Sequence, residues 1–233
     1  MVTRKEGYRR GVPKEEAALQ VVEAFFAAEA DVALERIWER EKNYRNGDFL
    51  MKGSLSTIEC KGQPINPSKY SQNFVEIFEV TSKIKHASGL KDTAQILGIS
   101  LDAISAAKVA DRRAGASGCT QVGRLPFVSA SLTSISGSDA TIYVNALDGG
   151  KFLYLYTREE LLSACRLAIL RSGFVRGAGM SNEDTFAVFV PLPELTWQRK
   201  GGVWEFTGTA EEKWEGIVKS GLFRRKKAQN EEY

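Results

Sequence analysis

The chain switches between two hydrophobic periods. Over residues 14–42, KEEAALQVVEAFFAAEADVALERIWEREK, apolar residues fall at Leu19, Val22, Phe25 and Phe26, then at Val32, Leu34, Ile37 and Trp38. Intervals of three and four put them on one face of a helix. Pro13 suits its first turn, and Ala30-Asp31 marks a break that would give two helices. After the turn signal Asn46-Gly47, Asp48 to Met51 and Ser54 to Cys60 read as two strands joined at Lys52-Gly53, with Pro64 and Pro67 ending the second. Residues 69–86 carry Phe74, Ile77, Phe78 and Ile84 at helix-like intervals, and residues 93–108 read as two short helices about Gly98. Residues 114–124, rich in Gly and Ser, read as a loop.

The second half is punctuated more sharply. TIYVNAL and KFLYLYT flank Asp148-Gly149-Gly150, a hairpin signal. Thr157 to Glu160 has the form of a capping box opening the helix LLSACRLAILRSG. FAVFVPLPEL reads as a strand, TWQRKGGVWEF as a hairpin about Gly201-Gly202, and AEEKWEGIVKSG as a last helix. The order helix, strands, helices, strands, helix, strands, helix predicts a mixed α/β fold with parallel and antiparallel pairs. There is no internal repeat.

Composition narrows the chemistry more than the fold. A chain of 233 residues with 43% hydrophobic and 26% charged residues builds one ordinary core. A net charge of +3 does not by itself argue for nucleic acid. The basic clusters Arg4, Lys5, Arg9, Arg10 and Arg224, Arg225, Lys226, Lys227 read equally as solubilising tails or phosphate contacts. Cys60, Cys119 and Cys165 are widely spaced, with no CxxC pair, which fits a reducing compartment. The N-terminus has no apolar run of signal-peptide type, and no stretch of about eighteen apolar residues exists. A cytoplasmic protein with no membrane partner is expected. The single histidine, His86, excludes H-E-x-x-H proteases, His-rich zinc sites and two-histidine phosphodiesterases. It sits in the polar stretch KIKHASG and is expected on the surface or in a loop.

One segment carries reactive residue types in a usable pattern. Glu59 and Lys61 are two apart on a predicted strand, so their side chains leave the same face. Asp48, eleven positions before Glu59, lies on the partner strand, and a hairpin of that size brings the two carboxylates together. Two adjacent carboxylates repel unless a cation neutralises them, and Mg²⁺ is held by one or two carboxylates plus substrate phosphate. Lys61 beside them is suited to holding an attacking water or to stabilising charge on phosphorus. The same residues also describe an edge strand with a surface Glu–Lys pair. Against that, Ile58 and Cys60 interleave with the charged positions and give the strand a buried face.

The run N-G-D, a turn, then a strand ending I-E-C-K-G resembles the PD-(D/E)XK nuclease superfamily, which includes many restriction endonucleases. The likeness covers residues 14 to about 80, with Gly47 rather than proline before Asp48. It implies an α/β, restriction-endonuclease-like αβββαβ core: a central mixed β-sheet flanked by helices, with a helical insertion. IYVNAL or KFLYLYT, with the helix at 158–172, would complete it. The resemblance also implies Asp48 and Glu59 as Mg²⁺ ligands, Mn²⁺ substituting, and Lys61 beside the attacking water. Many members add an acid from the first helix; Glu23 is the choice here, with Glu35 and Glu16 as rivals. Gln63 continues the Lys61 face toward DNA. Gln72 and Glu76, four apart on the predicted next helix, are further candidates, though a solvated helix face describes them as well.

Residues 93–108, TAQILGISLDAISAAK, also resemble a helix-turn-helix, with Ala94 as the small residue, Gly98 at the turn, and Ile99 and Ile104 at packing positions. That arrangement exposes Ser100, Asp102, Ala103, Ser105 and Lys108 to a major groove, with Arg112 and Arg113 following toward phosphates. An ordinary helical hairpin, with Gly98 as C-cap and Ser100 as N-cap, explains the same residues. Trp197, Trp204 and Trp214 are expected to pack a small core under the last hairpin and helix, base stacking being the other use.

The sequence thus predicts a single nuclease domain over residues 1–233 with a helical, helix-turn-helix-like insertion at about 88–115. Its expected activity is Mg²⁺-dependent hydrolysis of double-stranded DNA in the manner of a type II restriction enzyme. A homodimer is expected, because two scissile strands need two sites. Two alternatives stay open: a non-catalytic helix-turn-helix regulator, and a structural protein with no nucleic-acid role.

Overall fold

The computed structural model describes residues 4–37, 48–51, 57–63, 72–80, 88–111, 126–128, 141–176 and 185–220. Helix α1 (Arg4–Ala30) begins upstream of Pro13 and ends at Asp31, whose φ of 52° leaves the helical region. The Val32 N–H turns back to the Phe26 carbonyl at 3.1 Å. The expected second helix does not follow. Val32 and Leu34 are buried while Ala33 and Glu35 are exposed, an alternation that makes strand β1 (Leu34–Arg36). Strands β2 (Phe49–Met51) and β3 (Thr57–Gln63) form the anticipated hairpin, with Phe49 paired to Ile58 and Leu50 to Thr57.

A second correction falls on residues 69–86, read as helix. Residues Gln72–Val80 form strand β4, which pairs with a later strand over seven positions. Asn73, Val75 and Ile77 are all buried, so the true period is two. Phe74, Ile77 and Phe78 match helical spacing only by coincidence. Gln72 and Glu76 therefore sit on a strand, not on a helix face.

Helices α2 (Ser88–Leu97) and α3 (Leu101–Ala106) occur where the helical insertion was expected, but strand β5 (Val109–Asp111) then replaces helix. Strand β6 (Pro126–Val128) precedes the hairpin of β7 (Thr141–Leu147) and β8 (Phe152–Thr157), which turns through Asp148–Gly150. Helix α4 (Arg158–Ser172) starts with the predicted capping box: Glu160 N–H donates to Thr157 Oγ1, and Thr157 N–H donates to Glu160 Oε2 at 3.0 Å. Strands β9 (Phe174–Arg176), β10 (Thr185–Pro191), β11 (Leu195–Lys200) and β12 (Val203–Phe206) follow, then helix α5 (Glu211–Lys219).

The architecture is mixed α/β with two sheets. The larger has the order β1-β2-β3-β7-β8-β11-β12, antiparallel except where β3 runs parallel to β7. The smaller has the order β5-β9-β10-β4-β6, with β5 parallel to β9. Two cores flank the large sheet. Ile58, Cys60, Val144, Leu153 and Leu155 join Val22, Phe25 and Phe26 of α1, with Trp197 and Trp214. Tyr154 and Tyr156, on the opposite face of β8, join Leu161, Cys165 and Ile169 of α4 and the smaller sheet. The tryptophans are therefore core: Phe25 lies 4.9 Å from Trp197, 5.3 Å from Trp204 and 5.7 Å from Trp214, ring centre to ring centre. Among the described residues, no helix is long and apolar enough to cross a membrane.

Candidate active site

Strand β3 lies inside the large sheet, between β2 and β7. Its Ile58 and Cys60 face α1, so alternation sends Glu59 and Lys61 to the other face. Both Asp48 and Glu59 are buried, at 7% and 3% exposure. Burial matters because a carboxylate seldom leaves water without a compensating partner.

Asp48 is fastened to the two peptide groups that flank Glu59. Its N–H donates to the Ile58 carbonyl at 2.8 Å, and its Oδ2 accepts from the Cys60 N–H at 2.7 Å. The side chain takes a backbone position in the ladder, and this fixes the Asp48 carboxylate against the Cys60 peptide N–H, one residue from Glu59. Lys61 Nζ lies 2.9 Å from Glu59 Oε1, with the lysine about one-third exposed and the glutamate enclosed. Glu59 is aligned with Tyr143 and Lys61 with Asn145 across the parallel β3–β7 register.

The remaining predicted residues are distributed differently. Glu23 belongs to α1, on the opposite side of the sheet. Its Oε2 accepts from Arg36 Nη2 at 3.0 Å and Nε at 3.3 Å, while Glu16 Oε1 accepts from Arg36 Nη1 at 2.7 Å. These two acids clamp β1 onto α1, and the Arg36 guanidinium holds the Glu16 carboxyl below its usual pKa. Glu35 is exposed on β1. Among the described residues, no cluster of three or more acids, cysteines or histidines is assembled to hold a metal. Any cation here would rest on Asp48 and Glu59 together with its substrate.

Gln63 closes β3, paired in register with Leu147. Ser100, Asp102, Ser105 and Lys108 are exposed, as a DNA-facing segment requires, and Ala103 is half-buried. The turn before them is real: Gly98 has φ 63°, and Ser100 caps α3 by accepting from the Ala103 N–H at 3.1 Å. These contacts equally describe a capped helical hairpin. His86, Arg112, Arg113 and Cys119 lie outside the described residues.

Comparison with protein-family models, curated proteins and solved structures finds no match.

Proposed function

We propose that this chain is a metal-dependent endonuclease that hydrolyses phosphodiester bonds in double-stranded DNA. The observation that carries the reading is a buried Glu59 paired with Lys61 on a central strand, with a second buried carboxylate, Asp48, bonded to the backbone on either side of Glu59. Asp48 binds both peptide groups around Glu59, and Lys61 Nζ stands 2.9 Å from Glu59 Oε1. The sequence of α1, three antiparallel strands and then β7 parallel to β3 supports a restriction-endonuclease-like core. A homodimer acting as a type II restriction enzyme is the form we propose, with two sites for two strands. The buried thiols of Cys60 and Cys165 are in keeping with a reducing cytoplasm.

Asp48, Glu59 and Lys61 fit Mg²⁺ or Mn²⁺ by donor chemistry. Two carboxylates and one ammonium sum to a single negative charge, and hard cations of this kind take one or two carboxylates plus phosphate oxygen. When bound, the cation supplies neutralisation of the phosphate and of the charge that develops in hydrolysis. The protein's own part follows from its geometry. Asp48, tied into the ladder by the Cys60 N–H, has its carboxylate held against the strand that carries Glu59. Glu59 holds the Lys61 ammonium at the margin of the buried site, where it orients water for in-line attack on phosphorus. The same ammonium stabilises the added negative charge as the 3′ oxygen leaves.

Incubation of plasmid DNA with the protein tests this directly. Cutting is expected with Mg²⁺ and not with EDTA. Glu59→Gln should abolish it, and Lys61→Ala should reduce it by about 100-fold or more with duplex binding unchanged. No metal-dependent cutting across varied DNA substrates would overturn the reading. Binding without cutting, indifferent to Lys61→Ala, would favour a regulator built on α2 and α3.

A further inference from the structure

The sheet face that carries Glu59 and Lys61 continues beyond β3. Lys61 is in register with Asn145 of β7, Asn145 with Tyr154 of β8, and Tyr154 with Thr196 of β11. Residues aligned across neighbouring strands share a face. The two cores agree: Cys60, Val144 and Leu155 join α1, while Tyr154 turns to the other side with Tyr156. Tyr154 therefore stands on the Lys61 face, level with Lys61 and two strands away. At about 4.8 Å per strand, its backbone is roughly 10 Å from that of Lys61.

Tyr154 and Tyr156 are alike in burial and unlike in bonding. They are 5% and 2% exposed. The Tyr156 hydroxyl donates to the Pro191 carbonyl at 2.9 Å, which ties β8 to the end of β10. Among the described residues the Tyr154 hydroxyl has no hydrogen-bond partner, yet it is not sealed from solvent. A hydroxyl withdrawn from water usually finds a partner, because losing its hydration is otherwise costly. Thr196, next in the row, follows that rule: its hydroxyl lies 3.3 Å from that of Thr207.

Phenylalanine would fill the place of the Tyr154 ring without that cost. The hydroxyl is thus left over from packing, with its tip open. Burial also raises the Tyr154 pKa above the ordinary phenol value. The group therefore stays protonated across the neutral range, as an uncharged donor.

We infer that Tyr154 is a DNA-binding residue whose hydroxyl donates to an oxygen of a phosphate flanking the scissile one. The inference rests on the nuclease reading and extends its site across β7 to β8. Lys61 serves the phosphate at which the bond breaks. A donor two strands away meets a neighbouring phosphate of the same backbone, and tyrosine is among the side chains that position a duplex through its phosphates. Such a contact is made equally before and during the reaction, so its loss appears in KM and not in kcat.

The test is steady-state cleavage of plasmid DNA in Mg²⁺ by the native chain and by Tyr154→Phe, with a thermal melt of each. Loss of a hydrogen bond to a charged oxygen should raise KM about 10-fold or more, while kcat stays within about threefold. The melting temperature should hold level or rise, because no partner within the protein is lost. The salt dependence of KM should match that of the native chain, since a neutral donor displaces no counterion. An unchanged KM in the folded variant, with the native chain cutting, would overturn the role of Tyr154 and leave the nuclease reading standing. A fall in kcat at unchanged KM would overturn it too, by placing the hydroxyl's effect on the chemical step. So would a lower melting temperature at unchanged KM, in favour of a hydroxyl that serves the fold. No cutting by the native chain would sink both readings.

Discussion

Gly173 shows how one residue can be dictated by its neighbour's backbone. Its φ is 74°, and a Cβ there would lie 2.1 Å from the Lys108 carbonyl oxygen. That oxygen accepts the Phe174 N–H, so it has no freedom to retreat. Gly173→Ala should cost at least about 2 kcal/mol, combining left-handed strain with displacement of β9, read as a lower urea midpoint. Glu160 makes a pH-dependent contribution. Burial raises its pKa, but the Lys213 ammonium and the Thr157 N–H and hydroxyl outweigh burial, so the net shift is downward. Its folded pKa is below its unfolded one, so its stabilisation is present above the unfolded value, about 4.3, and is lost as pH falls through the folded value. The gap in urea midpoint between the native chain and Glu160→Gln should therefore close as pH drops from about 5 to below 4. The candidate catalytic residues were legible at this scale because strand parity is local: Glu59 and Lys61 share a face whatever else the chain does. That Asp48 would bind the peptides around Glu59 was not legible, since it depends on how the strands meet.

At the scale of elements, the strongest sequence signals were those with a mechanism for ending or starting a segment. The capping box at Thr157 and Glu160 and the Gly201-Gly202 hairpin turn both formed as predicted. Thr157→Ala should destabilise the protein by about 1 kcal/mol, measured by thermal or urea unfolding, by leaving the Glu160 N–H without its cap. The misread segments lacked such punctuation. In β4 the helix-like spacing of Phe74, Ile77 and Phe78 competed with a strand period that only pairing to β10 selects. After Asp31, the residues Val32 to Ile37 satisfy either period over so short a run, and pairing of β1 to β2 decides.

The whole molecule is organised by two cores on either face of the seven-stranded sheet. Phe25 is the hub of one, with its ring against Phe26, Trp197, Trp204 and Trp214. Phe25→Ala should cost about 3–5 kcal/mol and loosen α5 and the last hairpin together, seen as lost tryptophan near-ultraviolet signal and a lower melting temperature. Cys165 belongs to the other core, where burial pushes its thiol pKa up to about 12. It should resist thiol reagents until the protein unfolds, while unfolding in urea should make it react at once. The sequence by itself determined the β2–β3 and β7–β8 hairpins, the capped α4, and the strand face shared by Glu59 and Lys61. Each depends on residues within a dozen positions, where spacing and turn chemistry act directly. Only the tertiary structure decided that β4 and β10 build a second sheet, and that Glu23 serves Arg36 on the far face. Those outcomes depend on which distant faces bury one another, and no local period encodes that choice.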